Sequence, residues 1–361
     1  MVPRVSDACV IGVDVGGTKL LAGAVDGDLA VHHRAQRSSQ DLTTTELLDV
    51  LAEMVQEAAA AAPQAPIGVG FGVPGALDRR HGIVAACPHL PLEGVRFQAL
   101  MEERLGMPVA IENDANCAML AEWRHGAAMG CDDAVLLTVG TGVGGGIVVG
   151  RRLVTGDDGV PPELGAMVLD DGPAGRRTLE DFASAGGFAA AYRRAGGDTA
   201  LSPIDIFAQA AAGQGVAIAT IDAIARRIAQ GLGTLVNALN LEACLVGGGI
   251  AEAGEPLLQR IRAQLPQFTW PFLLARVRVA RAETGQDAGM LGAALTALRR
   301  HQASGAAASG RPAAAGPVPE RTQRRAEFSA SARIKGKRHR WAGYRRCVEG
   351  GLLQTKCGGK F

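Results

Sequence analysis

A chain of 361 residues, 47% of them hydrophobic, is long enough for two domains that each bury a core and leave a cleft between them. Residues 301–361 hold 13 Lys or Arg against 3 Asp or Glu, so the formal charge of +1 divides into a basic tail and a body of net −9, a poor platform for nucleic acid. The seven cysteines are scattered without CxxC spacing and no apolar run approaches a membrane span; a disulfide framework, a zinc knuckle, secretion and membrane insertion are disfavoured, and a cytoplasmic setting is expected.

Apolar alternation predicts a strand over 8–14, a turn at Gly16 and Gly17, a returning strand over 20–25 and a third over 29–34. A helix is expected over 44–62, with Thr caps and a stop before Pro63, and then a buried strand over 67–73. A short strand over 109–112 leads into a helix opened by Asp114 or its neighbour and ended near Gly126. From Ala134, VLLTVGTGVGGGIVVG repeats the strand, glycine turn, strand plan of VIGVDVGGTKLLAGAV, which reads as an internal duplication. A polar loop follows over 155–175, then helices over 178–194 and 218–238, a strand over 243–246, and a helix starting after Gly247, Gly248 and Gly249. A last helix covers 286–300, after which the Ala-, Gly-, Pro- and Arg-rich tail is expected to be disordered, either an inert extension or a basic arm.

A glycine turn in each half can bring backbone N–H groups against nucleotide phosphates, because no Cβ intervenes. In the first, Gly16, Gly17, Thr18 and Lys19 would cradle phosphate, and Asp14 at the strand end would hold a hydrated Mg²⁺, since magnesium keeps most of its waters and takes one or two carboxylates. Taken alone, GGTK is also an ordinary hairpin turn; the repetition at Gly140, Thr141, Gly142, Gly144 and Gly145 favours the phosphate reading. The literal GxGxxG matches at Gly140 and at Gly70 lack the helix a dinucleotide fingerprint must open, and no P-loop pattern occurs. Asn113 and Asp114 stand at a strand's carboxyl end, where open α/β sheets present ligand-binding groups. Asp114 is the candidate base for phosphoryl transfer to an alcohol, a role that can coexist with capping its helix.

VDVGGTK, FGVPGALD, IENDANCAMLAE, TVGTGVGGGIVVG, LVGGGI and DAGMLGAAL, in that order from about Val10 to about Leu298, resemble the ROK family of bacterial sugar kinases and sugar-responsive repressors. The resemblance implies an α/β, two-domain actin/hexokinase-like (duplicated ribonuclease H-like) fold with a cleft between domains, ATP and Mg²⁺ as cofactors, and a homodimer as the expected assembly. The domains would be residues 1–114, with the 286–300 helix packing back on them, and 115–285, followed by the 301–361 tail. It also implies a sugar site at Gly75, Asn113, Asp114, Glu163 and Glu180, with Gly247 to Gly249 facing the adenosine. Hydrogen bonds from such carboxylates and amides distinguish a hexose from competing alcohols.

Three departures from the family pattern stand out. Ala166 replaces the His of the ExGH element that starts at Glu163, His89 replaces the Asn of the NL element, and GPAGRRTLED replaces the cysteine-rich zinc motif, so no structural zinc is expected. With the first phosphate strand expected from Ala8, no helix-turn-helix is expected ahead of it, nor regulation of DNA by that route. The leading expectation is a glucokinase-like hexose kinase acting on a 6-hydroxyl. The alternatives are a kinase for N-acetylhexosamines and a catalytically weak sugar sensor.

Overall fold

The computed structural model describes residues 8–308 apart from 157, 158, 174, 199 and 200. The expectation of a disordered basic arm falls mostly on the tail from 309 onward, outside the described residues.

The first half contains β1 (Cys9–Val15), β2 (Lys19–Asp26), β3 (Val31–Ser38), α1 (Thr44–Ala60), β4 (Val69–Val73), β5 (Ala76–Asp78), β6 (Ile83–Ala86), α2 (Phe97–Leu105), β7 (Val109–Asn113) and α3 (Asp114–His125). Five of its strands form a sheet in the order β3-β2-β1-β4-β7. β1 and β2 pair antiparallel through the Gly16–Thr18 turn, whereas β4 and β7 run parallel to β1. That parallel register aligns Asp14 with Gly72 and Gly72 with Glu112, so Asp14 and the start of α3 emerge from the same edge of the sheet. α1 begins with a reciprocal capping box between Thr43 and Glu46 and buries Leu47, Leu51, Met54, Val55 and Ala58.

The second half contains β8 (Ala134–Val139), β9 (Val143–Val149), β10 (Arg152–Leu153), β11 (Val168–Gly172), β12 (Gly175–Thr178), α4 (Leu179–Ala183), α5 (Ala185–Arg194), α6 (Pro203–Ala211), α7 (Gly215–Leu239), β13 (Ala243–Gly247), α8 (Glu255–Gln264), α9 (Pro271–Leu274), β14 (Arg278–Arg281) and α10 (Ala288–Ala308). Its main sheet runs β10-β9-β8-β13-β14, with β8–β9 antiparallel and β8–β13–β14 parallel. This is the plan of the first sheet again, so the repeat seen in the sequence is a repeat of topology. Each sheet has its own apolar cluster, one around Val135, Leu137, Ile224 and Leu232, the other around Ile11, Leu51, Phe71 and Phe97.

α10 and α3 pack closely, and α3 also touches β9. Glycines make this approach backbone to backbone. A Cβ added to Gly12 would fall 2.1 Å from the Met290 carbonyl oxygen, one on Gly70 would fall 1.8 Å from that of Ala293, and one on Gly292 would fall 1.8 Å from that of Cys117. None of these distances is compatible with a side chain.

Several elements differ from the sequence expectation. The helix over 178–194 is two helices: Ser184 adopts an extended conformation and its hydroxyl oxygen accepts the Gly187 N–H, capping a new helix within the old pattern. The expected polar loop over 155–175 contains β11 and the start of β12, whose exposed polar residues carry no apolar alternation. No α-helix starts after the glycine triplet; Gly248 and Gly254 take positive φ on either side of a 3₁₀ turn over Gly249–Ala253, and α8 begins only at Glu255. β3 starts at Val31 and runs to Ser38, and α10 continues to Ala308. The sequence pattern gives no expectation of β5, β6, α2, β10, α6, α9 or β14.

The five cysteines among the described residues are free and buried. Burial raises their thiol pKa values, Cys117 well above the ordinary range and Cys244 to about 12.

Gly70→Ala, with its methyl directed at the Ala293 carbonyl, is expected to lower stability by about 3 kcal/mol in denaturant unfolding. Gly215→Ala, at the start of α7 where a Cβ meets nothing within 4 Å, is expected to be neutral or to stabilise by up to about 1 kcal/mol.

Candidate active site

The first glycine turn is fastened from below and open above. Gly16 N–H donates to the Lys19 carbonyl at 3.0 Å, the Ser39 hydroxyl donates to the Gly16 carbonyl at 2.7 Å, and Gly17 and Thr18 remain exposed. Ser39 gave no sequence signal, because its role is to hold a turn 23 residues away. Lys19 starts β2 and lies close enough to Asp14 to favour its carboxylate form.

In the second turn, Gly140 N–H donates to the Gly142 carbonyl at 2.9 Å, and the Ala185 N–H at the start of α5 donates to the Gly140 carbonyl at 2.8 Å. Thr141 and Gly142 are exposed. The triplet after β13 lies beside this turn: a Cβ on Gly140 would sit 4.0 Å from the Gly249 nitrogen. Gly248, at φ +83°, abuts the Val139 backbone, where a Cβ would fall 2.6 Å from the carbonyl oxygen, while nothing lies within 4 Å of the Cβ position of Gly249. Gly247 ends the strand, and Gly144 and Gly145 lie within β9, beyond the turn itself.

Asn113, not Asp114, caps α3: its Oδ1 accepts the Asn116 N–H at 3.1 Å, and its Nδ2 donates to the Gly75 carbonyl at 3.2 Å. Gly75 takes φ +96°, and a Cβ there would strike the Ala86 carbonyl. Asp114 is the first helical residue and accepts the Ala115 N–H at 2.8 Å. A reading in which Asp114 serves as the helix cap is therefore corrected, and its carboxylate is left for other work.

Asp14, Asp114, Glu163 and Glu180 form an electrostatically linked row. Asp14 is desolvated and repelled by Asp114, with Lys19 opposing, and its pKa is pushed up to about 7. Asp114 is also raised, by burial first, against hydrogen bonds from the backbone and Asn113 and the attraction of His89. Glu163 is open to solvent at its outer side, yet partial desolvation and then Asp114 and Glu180 raise it too. Glu180 closes the row onto the second turn, its Oε2 accepting the Val143 N–H at 2.8 Å. The row thus runs from the first glycine turn to the second, with the α3 start between them.

Ala166 ends the 3₁₀ turn Leu164–Ala166 directly after Glu163. His89 packs over the first turn, its Cβ 3.2 Å from where a Cβ on Gly17 would be, and lies near enough to Asp114 to favour the carboxylate form. In the sequence His89 stands out only as a departure; the structure sets it beside both Gly17 and Asp114. Behind Asn113 and Asp114, Glu112 is buried and accepts the Asn113 N–H at 3.0 Å and Asn116 Nδ2 at 3.1 Å, while Arg79 pairs with its other oxygen at 3.1 Å. That support was not legible in the sequence, because Arg79 lies 33 positions before its partner.

The raised pKa of Asp14 has a measurable sign. Between the ordinary carboxylate value of 3.8 and about 7, the folded protein keeps a proton that the unfolded chain has lost, so stability without ligand falls as pH rises across that window. Asp14→Asn removes the penalty. It is expected to stabilise the ligand-free protein by about 2 kcal/mol more at pH 8 than at pH 5, read from denaturant unfolding at the two pH values.

Comparison with known proteins fits this geometry. A profile of the ROK family matches residues 10–300. The glucokinase of Thermotoga maritima is 32% identical over 305 residues, covering 79% of this chain and 96% of the relative. The N-acetylmannosamine kinase of Citrobacter koseri is 33% identical over 299 residues, covering 80% and 98%. The structure of a ROK family glucokinase from Streptomyces griseus in complex with glucose and AMPPNP superposes with a TM-score of 0.70 at 29% identity, over 80% of this chain and 99% of that one. With two sheets of one topology, a glycine turn opening each and a family match that spans nearly the whole described chain, the protein belongs to the ROK family.

Proposed function

We propose that this chain transfers the terminal phosphoryl group of ATP to a hexose hydroxyl, the 6-hydroxyl of glucose or of a close relative. The observation that carries the reading is the row of four carboxylates joining the two glycine turns, with Asp114 desolvated at its centre. Phosphoryl transfer needs little covalent help from the protein; it needs the phosphates held, the alcohol aimed, and a base for the hydroxyl proton. The exposed residues Gly17, Thr18, Thr141 and Gly142 have backbone amides suited to the phosphates, and the glycines after β13 are suited to the flat face of the adenine nucleoside. Glu163, Glu180 and Asn113 are suited to sugar hydroxyls, since each presents oxygen acceptors and Asn113 is already fixed by its bonds to α3 and Gly75.

Burial raises the proton affinity of Asp114, which improves it as a general base provided that it is ionised when substrate is bound. Asp14 and Asp114 repel one another, and that repulsion is what a cation bound at Asp14 would relieve. Asp14 therefore fits a magnesium ion held largely through water, which would supply charge neutralisation on the phosphates. Asp114 takes the proton from the attacking hydroxyl, and its hydrogen bond from Ala115 keeps the carboxylate aimed from the helix start.

Two sugar classes suit this site, because relatives named as glucokinase and as N-acetylmannosamine kinase are equally similar and the residue after Gly165 is a methyl-sized Ala166. The 6-hydroxyl of glucose is the leading reading. A coupled assay of ADP release with ATP and Mg²⁺ across glucose, mannose, fructose, N-acetylglucosamine and N-acetylmannosamine is expected to give the highest kcat/KM with glucose; a preference for an N-acetylated sugar would move the chain to the second class. Asp114→Asn is expected to lower kcat by about 10³-fold while leaving nucleotide affinity within a few-fold. Turnover retained in that variant would remove Asp114 from the reaction.

A further inference from the structure

Apart from the carboxylate row, a cavity of about 380 Å³ lies between β7, the C-terminal part of α10 and Arg79, with Leu120 of α3 at its wall. Its charge is one-sided. Arg79, Arg299 and Arg300 all line it, against Glu112 as the one lining carboxylate. Two of the cations are matched: Arg79 pairs with Glu112 at 3.1 Å and Arg300 with Glu102 at 2.9 Å. Arg299 is different. Among the described residues no carboxylate stands within ion-pair distance of it, and its guanidinium instead lies 5.6 Å from the centre of the Trp123 ring. Its pKa is lowered, by lost hydration first and then by repulsion from Arg124, with Glu112 only partly opposing, although its side chain still reaches solvent.

We propose that this cavity is a second anion site, which binds a phosphate group, free or as a small phosphate ester, on the guanidiniums of Arg299 and Arg79. Three features suit phosphate. Arg299 and Arg79 line the cavity from different elements, and a tetrahedral phosphate offers oxygens to both, whereas a planar carboxylate matches one fork at a time. The cavity is large enough for the phosphate and a small carrier, with Gln98 and Thr296 as polar wall groups. Three guanidiniums set against Glu112 and Glu102 leave a surplus of one positive charge, which a phosphate monoanion balances. The site is separate from the proposed nucleotide site, whose phosphate donors are backbone amides of the glycine turns.

The test is binding, and so is independent of any turnover. Isothermal titration of the full chain in phosphate-free buffer, with inorganic phosphate and glycerol 3-phosphate as separate probes, is expected to show saturable binding of at least one. The tighter probe identifies whether the free ion or the ester is the source. Arg299→Gln is expected to weaken that binding about tenfold or more, and Arg299→Lys, which keeps the charge and loses the fork, to weaken it by less. Asp114→Asn is expected to bind the probe as the parent does. Circular dichroism checks that each variant is folded, and if the Gln variant is not, the Lys variant carries the comparison. Absence of saturable binding at millimolar probe, or binding that both Arg299 variants leave unchanged, would overturn the proposal.

Discussion

The placement of the described elements around the site hangs on one constraint, the close approach of α10 to β1, β4 and α3 at glycines. At Gly12 and Gly70 the sheet offers no side chain to hold the helix away, and at Gly292 the helix offers none to α3. Gly289, in the first turn of the same helix, touches the Asp14 carboxyl, where a Cβ would fall 2.4 Å from its carbon. A single element of small residues thereby sets the position of the strand end that carries Asp14 relative to the helix that begins with Asp114. Close packing of this kind transmits displacement with little slack, so the two carboxylates are held near one another despite their repulsion.

That repulsion is a cost retained in the ligand-free protein. Asp14, Asp114 and Glu163 are all shifted toward the neutral acid, first by burial and, for Asp14 and Glu163, then by a like charge. A structure optimised for stability alone would pair or remove such groups. Their persistence between two phosphate-suited turns is understandable if cation and substrate complete the charge balance, the usual relation between strained electrostatics and chemistry at a site.

Much of the fold was legible because strong local signals coincided with it. The duplicated strand–glycine–strand pattern survives as two sheets of one topology, and Asn113 and Asp114 do open α3 at a strand end. Legibility failed where the determinant was conformational or distant. Ser184 divides a helical pattern by one hydroxyl, and Gly248 and Gly254 delay α8 by positive φ, neither of which alters apolar periodicity. At the site, Gly75, Glu163 and Glu180 came from family resemblance alone. Arg79, Ser39 and Glu112 escaped notice because each acts on a partner rather than in a recognisable motif. The α3 cap shows the same limit: sequence placed the pair at the helix start, but only geometry tells which member caps the helix.

The interior sulfur atoms have a practical corollary. Cys117 lies in the α3–α10 seam with its backbone against Gly292, and the other four described cysteines are likewise enclosed. Since the thiolate is the reactive form and burial suppresses it, alkylating or oxidising reagents reach these atoms chiefly when the protein breathes. Their labelling rates are therefore a clock for opening, and the Cys117 clock in particular times the separation of the helix pair that holds the two acidic groups together.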